Sequence, residues 1–520
     1  MNKIIRINIV IILLVITGNA LKAQEKQNVS KWPRGITYEI FVQSFADSDD
    51  DGIGDINGMI SKLDYLKELG IEGIWLMPMN PSPTYHKYDV SDYYDIHPDY
   101  GTLADFKNFV KEAHARNIKV VMDMVLNHSG NKNQWFKEAL KDESIKYWDY
   151  YVWAHKDDPK VQPVTITASD GTQRRVRSNW YTVPNSDYLY FAHFGSNMPD
   201  LNFDNPKLQQ EAFKIGKFWL KEIGVDGFRL DAARHVFPDE RATDNHKWWE
   251  YFLQEMKSVN QDVYIVGEVW APADIVGPYL KGIPALFNFD MGGEIIKAVN
   301  EENGSTLVSK HKEIEDFYKN INPEYIDATF LTNHDQDRVM SSVKGNADKE
   351  KMAVALLLTL PGSPYLYYGE EIGMLGQKPD ENIREPFLWD KKEADKTRTS
   401  WIKPRYSTDS TILPLSQQLA EKNSLVNYYK TLIKLRNKSY ALTYGELIPV
   451  ETINKSICGF IRSDERERLV VLHNLSGKSQ EFYLPSDLRE FKKVYFAGKA
   501  AQTKNNQVTI PGFSTIILTK

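Results

Sequence analysis

Between about residue 35 and residue 440 the chain alternates short apolar runs with amphipathic ones, and this rhythm restricts the fold more than any other feature. GITYEIFVQSF (35–45) reads as a strand, and MISKLDYLKELG (59–70) sets apolar residues at helical spacing and closes on glycine. IEGIWLMP (71–78) is a strand. TLADFKNFVKEAHARN (102–117) is a helix with Thr102 as candidate N-cap, and IKVVMDMV (118–125) is a strand rich in β-branched residues. The pattern resumes at QQEAFKIGKFWLKEIG (209–224) and VDGFRLD (225–231), then HKWWEYFLQEMKSVN (246–260) and VYIVGEVW (263–270). It ends with IDATFLTNHD (326–335) and KMAVALLLTLPGSPYLYYG (351–369). Such alternation implies parallel strands joined by crossover helices. About eight units need roughly 250 residues or more, which this stretch supplies. The expected architecture is α/β, a (β/α)8 barrel of the TIM type built from residues 30–128 and 199–439.

Two regions break the rhythm. Residues 129–198 are polar, aromatic and irregular, and TITASDGTQRRVRSNWYTV (165–183) suggests a hairpin, so they read as a domain inserted after the third strand. From 440 to 520 short alternating segments such as SICGFIRS, RLVVLHNL and TIILTK take over, which predicts a C-terminal all-β sandwich.

The N-terminus reads as a processing segment. Lys3 and Arg6 precede an apolar stretch from Ile7 to Ile16, followed by Gly18, Ala20 and Ala23. That is the order of a secretory signal over residues 1–23, with cleavage after Ala20 or Ala23. The stretch is too short for a membrane span of about 20 residues. Export to the periplasm or the exterior is the expectation, with no membrane span left after signal removal and a monomeric state. The only cysteine, Cys458, cannot form an internal disulfide, so it reads as a buried small hydrophobe in a fold held by core packing. The net charge of −6 argues against a nucleic-acid partner.

In barrels of this kind, functional groups gather at the C-terminal ends of the strands. MDMVLNHSG supplies Asp123, Asn127 and His128. GFRLDAARH supplies Arg229, Asp231, Arg234 and His235. GEVW supplies Glu268 and Trp270, and LTNHDQDR supplies His334, Asp335 and Arg338. Paired carboxyls suit glycosidic cleavage, where one ionised group attacks the sugar carbon and one protonated group serves the leaving oxygen. Arg229 and Asp231 are two residues apart on one strand, so they share a face, and the arginine favours an ionised Asp231. Glu268 lies on the neighbouring strand, where nearby negative charge favours its protonated form. Asp335 adds a third carboxylate able to grip sugar hydroxyls, with His128 and His334 as polar donors.

DSDDDGIGD (47–55) reads as a metal loop on its own terms. Asp47, Asp49, Asp51 and Asp55 alternate with small or turn residues, and Ca²⁺ prefers such hard oxygen ligands in a flexible shell. A solvated acidic loop is the alternative.

These segments together resemble the signature regions of the α-amylase family, glycoside hydrolase family 13, across about residues 30–440. The smaller features place the chain between its α-amylase and its oligo-1,6-glucosidase or neopullulanase groups. The resemblance implies Asp231 as nucleophile, Glu268 as general acid/base and Asp335 as transition-state stabiliser. It places Arg229, His128 and His334 around the cleavage subsite, with Asp123 supporting Arg229. MPDLN (198–202) resembles the short motif that closes the family's inserted domain. In YHKYDVSDYY (85–94), Tyr88 resembles the residue that stacks on the sugar. Arg234 and His235 resemble the basic residue and histidine that α-amylases use on the leaving-group side, and Trp270 after Glu268 is similar to the α-amylase pattern. Tyr85 stands where exo-acting relatives often carry aspartate. REPFLW, with Arg384, is similar to the oligo-1,6-glucosidase side. For the acidic loop the resemblance implies Ca²⁺, with the Ile53 carbonyl as a further ligand. The expected activity is retaining, endo-acting hydrolysis of α-1,4 bonds in starch and maltooligosaccharides. α-Glucosidase, neopullulanase or cyclomaltodextrinase-like hydrolysis, transglycosylation, or a non-catalytic glucan-binding role are the alternatives.

Overall fold

The computed structural model describes residues 32–167, 173–176 and 179–520; the signal segment expected at 1–23 lies outside them. Eight parallel strands close into a barrel. In chain order they are Thr37–Ile40, Gly73–Leu76, Lys119–Met124, Gly227–Leu230, Tyr264–Gly267, Ala285–Asn288, Ile326–Phe330 and Ser363–Tyr367. The first pairs with both the second and the eighth, which completes the ring. The predicted (β/α)8 architecture is therefore present.

The crossover helices form where the spacing places them. Ile56–Leu69 ends on Gly70 with φ 98, a left-handed turn that glycine adopts without steric cost. Leu103–Ala115 opens on a capping box: Thr102 accepts from the Asp105 N–H, and the Asp105 side chain answers the Thr102 N–H. One local reading is corrected, and one strand that the sequence did not mark is added. Residues 35–45 are not one strand, because Val42–Phe45 turns into a short helix that carries the chain over the barrel rim. The sixth strand, Ala285–Asn288, runs directly into the helix Phe289–Glu301, with no turn residues between them to mark a boundary.

Side chains alternate across a strand, so every second residue enters the barrel. Trp75, Val121, Tyr264, Val266, Ala285, Phe287, Ile326, Ala328 and Tyr365 fill the interior as one apolar cluster. Gly227 has no room for a side chain: a Cβ there would stand 1.9 Å from the Tyr264 carbonyl oxygen. Moving up each strand, the same inward rows turn polar. Val121 is followed by Asp123, Gly227 by Arg229 and Asp231, Val266 by Glu268. The pairing register sets Asp123 directly against Arg229. The period of two thus lifts the charged residues to one end of a packed interior.

The insertion after the third strand contains a three-stranded sheet of Trp153–His155, Trp180–Thr182 and Tyr188–Phe191. It also contains the expected hairpin, Val164–Thr167 paired antiparallel with Gln173–Val176. Bridges from His128 to Asp200 and from Tyr151 to Leu201 fasten its base to the barrel.

The helices persist slightly longer than the sequence suggests, because Tyr440–Tyr444 is helical before the β domain starts at Glu446. Five antiparallel strands then form one sheet and three form another. Alternation is clean in the first sheet. Ile457, Ile461, Val470, Leu472, Ile516 and Leu518 face the second sheet, while Cys458, Phe460, Leu469, Val471 and Ile517 pack on the barrel's own core. Cys458 is buried there as an apolar contact.

Candidate active site

Asp231 and Glu268 each stand one residue past the end of their strand, the fourth and the fifth. The Asp231 N–H donates to the Met124 carbonyl and the Glu268 N–H to the Leu230 carbonyl, so both backbones continue the barrel ladder to the rim. Arg229, fully buried below them, ties the site together. Its Nη1 reaches Asp231 Oδ1 at 2.7 Å and both Asp123 oxygens at 3.0 Å; its Nη2 reaches Glu268 Oε2 at 2.6 Å. Two carboxyls bridged by one guanidinium are held on the same small patch of the rim. Ala232 takes a left-handed conformation, φ 44, and so turns its N–H to Glu268 Oε2 at 3.1 Å.

Asp335 comes from the loop after the seventh strand. Arg384 Nη2 holds its Oδ1 at 2.9 Å, and His334 Nε2 lies 3.1 Å from its Oδ2. Glu39, inside the first strand, lies 2.5 Å from the other nitrogen of His334. Tyr88 stacks on the His334 ring at 5.7 Å and 12°. His128 Nε2 lies 3.1 Å from the Tyr88 carbonyl oxygen.

Asp231, Glu268, Asp335, Tyr88, His128 and Arg384 line one open cleft of about 270 Å³. Other predicted residues take other places. Arg229 and His334 lie beneath the floor and act on its carboxyls. Trp270 stands exposed on the rim, stacked on Phe289 at 4.5 Å. His235 stacks at 4.4 Å on His193 from the inserted domain. Arg234 turns to Asp239, with Nη2 at 2.6 Å, and is outside the cleft lining. The sequence reading did not single out Glu39, His86, Phe194 or Asp380. A lone glutamate in the apolar run TYEIF was the available signal for Glu39; an isolated aromatic such as Phe194 gave none.

The charges divide the carboxyls. Burial raises Glu268 above the usual carboxyl range, Asp231 and Asp335 reinforce this, and Arg229 opposes it. Burial also raises Asp231, directly opposed by the Arg229 charge and hydrogen bond. Asp335 is the contrast: burial works against its charge, but His334 and Arg384 overcome it and hold the carboxyl well below the usual range. His334 in turn rises to about 9 despite burial, because Asp335 and Glu39 flank it. Glu268 and Asp231 are thus both raised by burial, with Arg229 opposing this at each, while Asp335 is the carboxyl held firmly ionised beside them.

In the acidic loop, Asp47, Asp49 and Asp55 bring one carboxylate oxygen each within 4.8 Å of one another. Asp47 also pins the turn, accepting from the N–H groups of Asp49, Asp50 and Gly52, and Asp55 caps the following helix. Asp51, on the same tight turn, accepts the Ile53 N–H through one oxygen at 2.7 Å. Three converging carboxylates form a hard oxygen set that fits Ca²⁺. Chelation is expected to lower the melting temperature and added Ca²⁺ to restore it, read by calorimetry. An unchanged melting temperature after verified metal removal would count against a bound ion.

Comparison with known proteins agrees with this geometry. The family description "Alpha amylase, catalytic domain" matches residues 39–445, and "Alpha-amylase SusG C-terminal domain" matches residues 457–517. Alpha-amylase 3 of Dictyoglomus thermophilum is 41% identical over 94% of this chain and 93% of its own length. A 4-alpha-glucanotransferase of Thermotoga maritima is 33% identical over 86% of this chain and 97% of its own. The crystal structure of an alpha-amylase from H. orenii superposes with a TM-score of 0.84 at 40% identity, covering 94% of this chain and 99% of that one. A closed barrel with an acidic rim, matched along most of its length by these relatives, makes the chain a member of the α-amylase family, glycoside hydrolase family 13.

Proposed function

We propose that the protein is a retaining, endo-acting α-amylase that hydrolyses α-1,4 bonds of starch and maltooligosaccharides. The observation that carries this reading is the Arg229 bridge, which holds Asp231 and Glu268 at the edge of one open cleft. The Asp231 carboxylate attacks the anomeric carbon. The carbon–oxygen bond to the leaving chain breaks as Glu268 gives its proton to that oxygen. Glu268 then takes a proton from water, the water oxygen bonds to the anomeric carbon, and the bond to Asp231 breaks. Asp335 grips the sugar's hydroxyls as charge develops on the ring, with Arg384 and His334 keeping it ionised and in place. Bound Ca²⁺ would be held by Asp47, Asp49 and Asp55 and would fasten the loop before the first crossover helix, apart from the chemistry.

A second reading, glucan transfer, is favoured by the 33% identical glucanotransferase and by the exposed Trp270 on the rim, backed by the buried Phe289 and suited to an acceptor sugar. Products from soluble starch, maltotriose, pullulan and isomaltose, followed by chromatography, separate the two. Endo-hydrolysis predicts a falling mixture of maltooligosaccharides from starch. Mainly longer products from concentrated maltotriose would overturn it in favour of transfer.

We also propose export. Among the described residues no helix is long and apolar enough to cross a membrane, and the leader composition at residues 1–23 supports removal on export. A mature N-terminus upstream of Ala20 would reject that.

A further inference from the structure

Resting on the glucan-cleaving reading above, we propose that Glu39 is a positioning residue for the reaction: from the first strand it makes both ring nitrogens of His334 donors, and this fixes the direction of a hydrogen-bonded chain under the cleft. In the strand Thr37–Ile40, Tyr38 and Ile40 pack into the core that surrounds the barrel, so alternation turns Glu39 into the barrel itself. There it is buried, and a buried carboxylate needs a cationic partner. His334 supplies it: Glu39 Oε1 lies 2.5 Å from Nδ1, and the ring is itself fully buried. Asp335 Oδ2 lies 3.1 Å from the opposite nitrogen, Nε2. Ionised carboxylates only accept, so a ring set between two of them donates from both nitrogens.

Tyr88 carries that direction onward. Its hydroxyl oxygen stands 2.6 Å from Nε2 and 3.4 Å from Asp123 Oδ2. With a proton on Nε2, the hydroxyl accepts from His334 and turns its own proton to Asp123. Asp123 also accepts from Arg229, which bridges Asp231 and Glu268. The chain therefore runs from the first strand to the reacting carboxyls. A glutamine at position 39 would still accept from Nδ1 but would leave the ring neutral. Its bare Nε2 would then take the Tyr88 proton and offer nothing to Asp335. Burial works to discharge the ring, yet Asp335 and Glu39 keep it charged up to about 9, so the charge persists at neutral pH and is lost as pH rises through that value. The other charges around the pair are Asp123, Arg229, Asp231 and Arg384, whose Nε donates to the His334 carbonyl at 3.0 Å. Trp75, edge-on at 5.5 Å, and the stacked Tyr88 hold the ring plane, so Glu39 governs its charge more than its place.

The test is nitrogen NMR of the full-length protein labelled with ¹⁵N-histidine. At neutral pH the parent should show both His334 ring nitrogens protonated, in a signal that His334→Gln removes. Glu39→Gln should show one protonated nitrogen. Its kcat on maltoheptaose should fall about tenfold at neutral pH while KM stays within about twofold, because the charged pair of His334 and Asp335 acts as charge develops on the sugar. The loss should shrink in acid, where the ring regains its proton, and widen toward alkaline pH. Glu39→Asp keeps a charge at the same inward position and should hold the ring charged to a higher pH than Glu39→Gln does. A parent ring with one protonated nitrogen at neutral pH overturns the proposal, and this measurement stands even if Glu39→Gln does not fold. Two protonated nitrogens in Glu39→Gln, or a loss of kcat equal at every pH, overturn it as well. The spectra need no substrate, whereas full activity of Asp231→Asn would overturn the cleavage reading, so the two failures are distinguishable.

Discussion

Asp231→Asn is expected to give a folded protein with kcat on maltooligosaccharides reduced on the order of 10⁴-fold or more, since no covalent intermediate can form without the attacking carboxylate. Glu268→Gln should behave differently. With natural substrates the loss should be about 10²–10⁴-fold, because the leaving sugar oxygen needs a proton. With a dinitrophenyl maltoside the leaving phenolate needs none, so the first step should survive. Water attack on the intermediate still lacks its base. Glu268→Gln should therefore release a burst of phenolate and then stall, with the protein carrying one maltosyl unit. Mass spectrometry of the trapped peptide is expected to place that unit on Asp231. A label on any other carboxylate, or a burst equally present in Asp231→Asn, would reject the assigned roles. The amide variants preserve shape, so a change in melting temperature beyond a few degrees would signal that electrostatics rather than chemistry had been disturbed. Both residues sit against Arg229, and for that reason each melting curve belongs beside its rate.

Much of this site was legible in the sequence because its logic is local. A strand of period two that ends in a charge must present that charge at the rim, and the rows ending in Asp123, Asp231 and Glu268 did so. The signature segments carried the rest of the catalytic set. What escaped depends on contacts between distant segments. Glu39 meets His334 only because the barrel closes. Tyr85 meets Trp401 only because the segment after the eighth strand folds back across the first. Neither contact leaves a period or a spacing to read. Arg234 takes a partner that the sequence did not announce. Its neighbour His235 does approach the inserted domain, but the short helical turn Ala233–His235 sends the two side chains in different directions, and Arg234 finds Asp239. In the acidic loop, alternation in sequence pointed to aspartates around one centre, and the tight turn, with Asp50 at φ 68 and Gly52 at φ 91, brings one oxygen each of Asp47, Asp49 and Asp55 within 4.8 Å of one another.

Arg229→Met is expected to cost about 3–5 kcal/mol of stability at neutral pH, the range for leaving buried charge without its partner. Among the described residues, the side chain it replaces is the only one that hydrogen-bonds Asp123, Asp231 and Glu268 together. Even with Arg229 in place, burial pushes Asp123 up to about 7 from an ordinary 3.8. A carboxyl raised on folding contributes stability that is fully present below its unfolded value and lost as pH rises through the folded one. For Asp123 that window runs from 3.8 to about 7. Removing the guanidinium takes away the influence that opposes burial at all three carboxyls, so each must hold its proton to a higher pH or pay for an unpaired charge. The deficit of Arg229→Met should therefore be smallest in acid and widen toward neutral and alkaline pH, as urea melts across that range would show. Arg229→Lys retains a charge but is a single point donor, unable to bridge carboxyls on separate strands at once. It should recover part of the stability while kcat stays low. A deficit independent of pH would mean that Arg229 matters for packing alone. A lysine variant with parental kcat would mean that charge suffices and that the fork geometry, which sets the attacking and proton-donating groups beside each other, is dispensable.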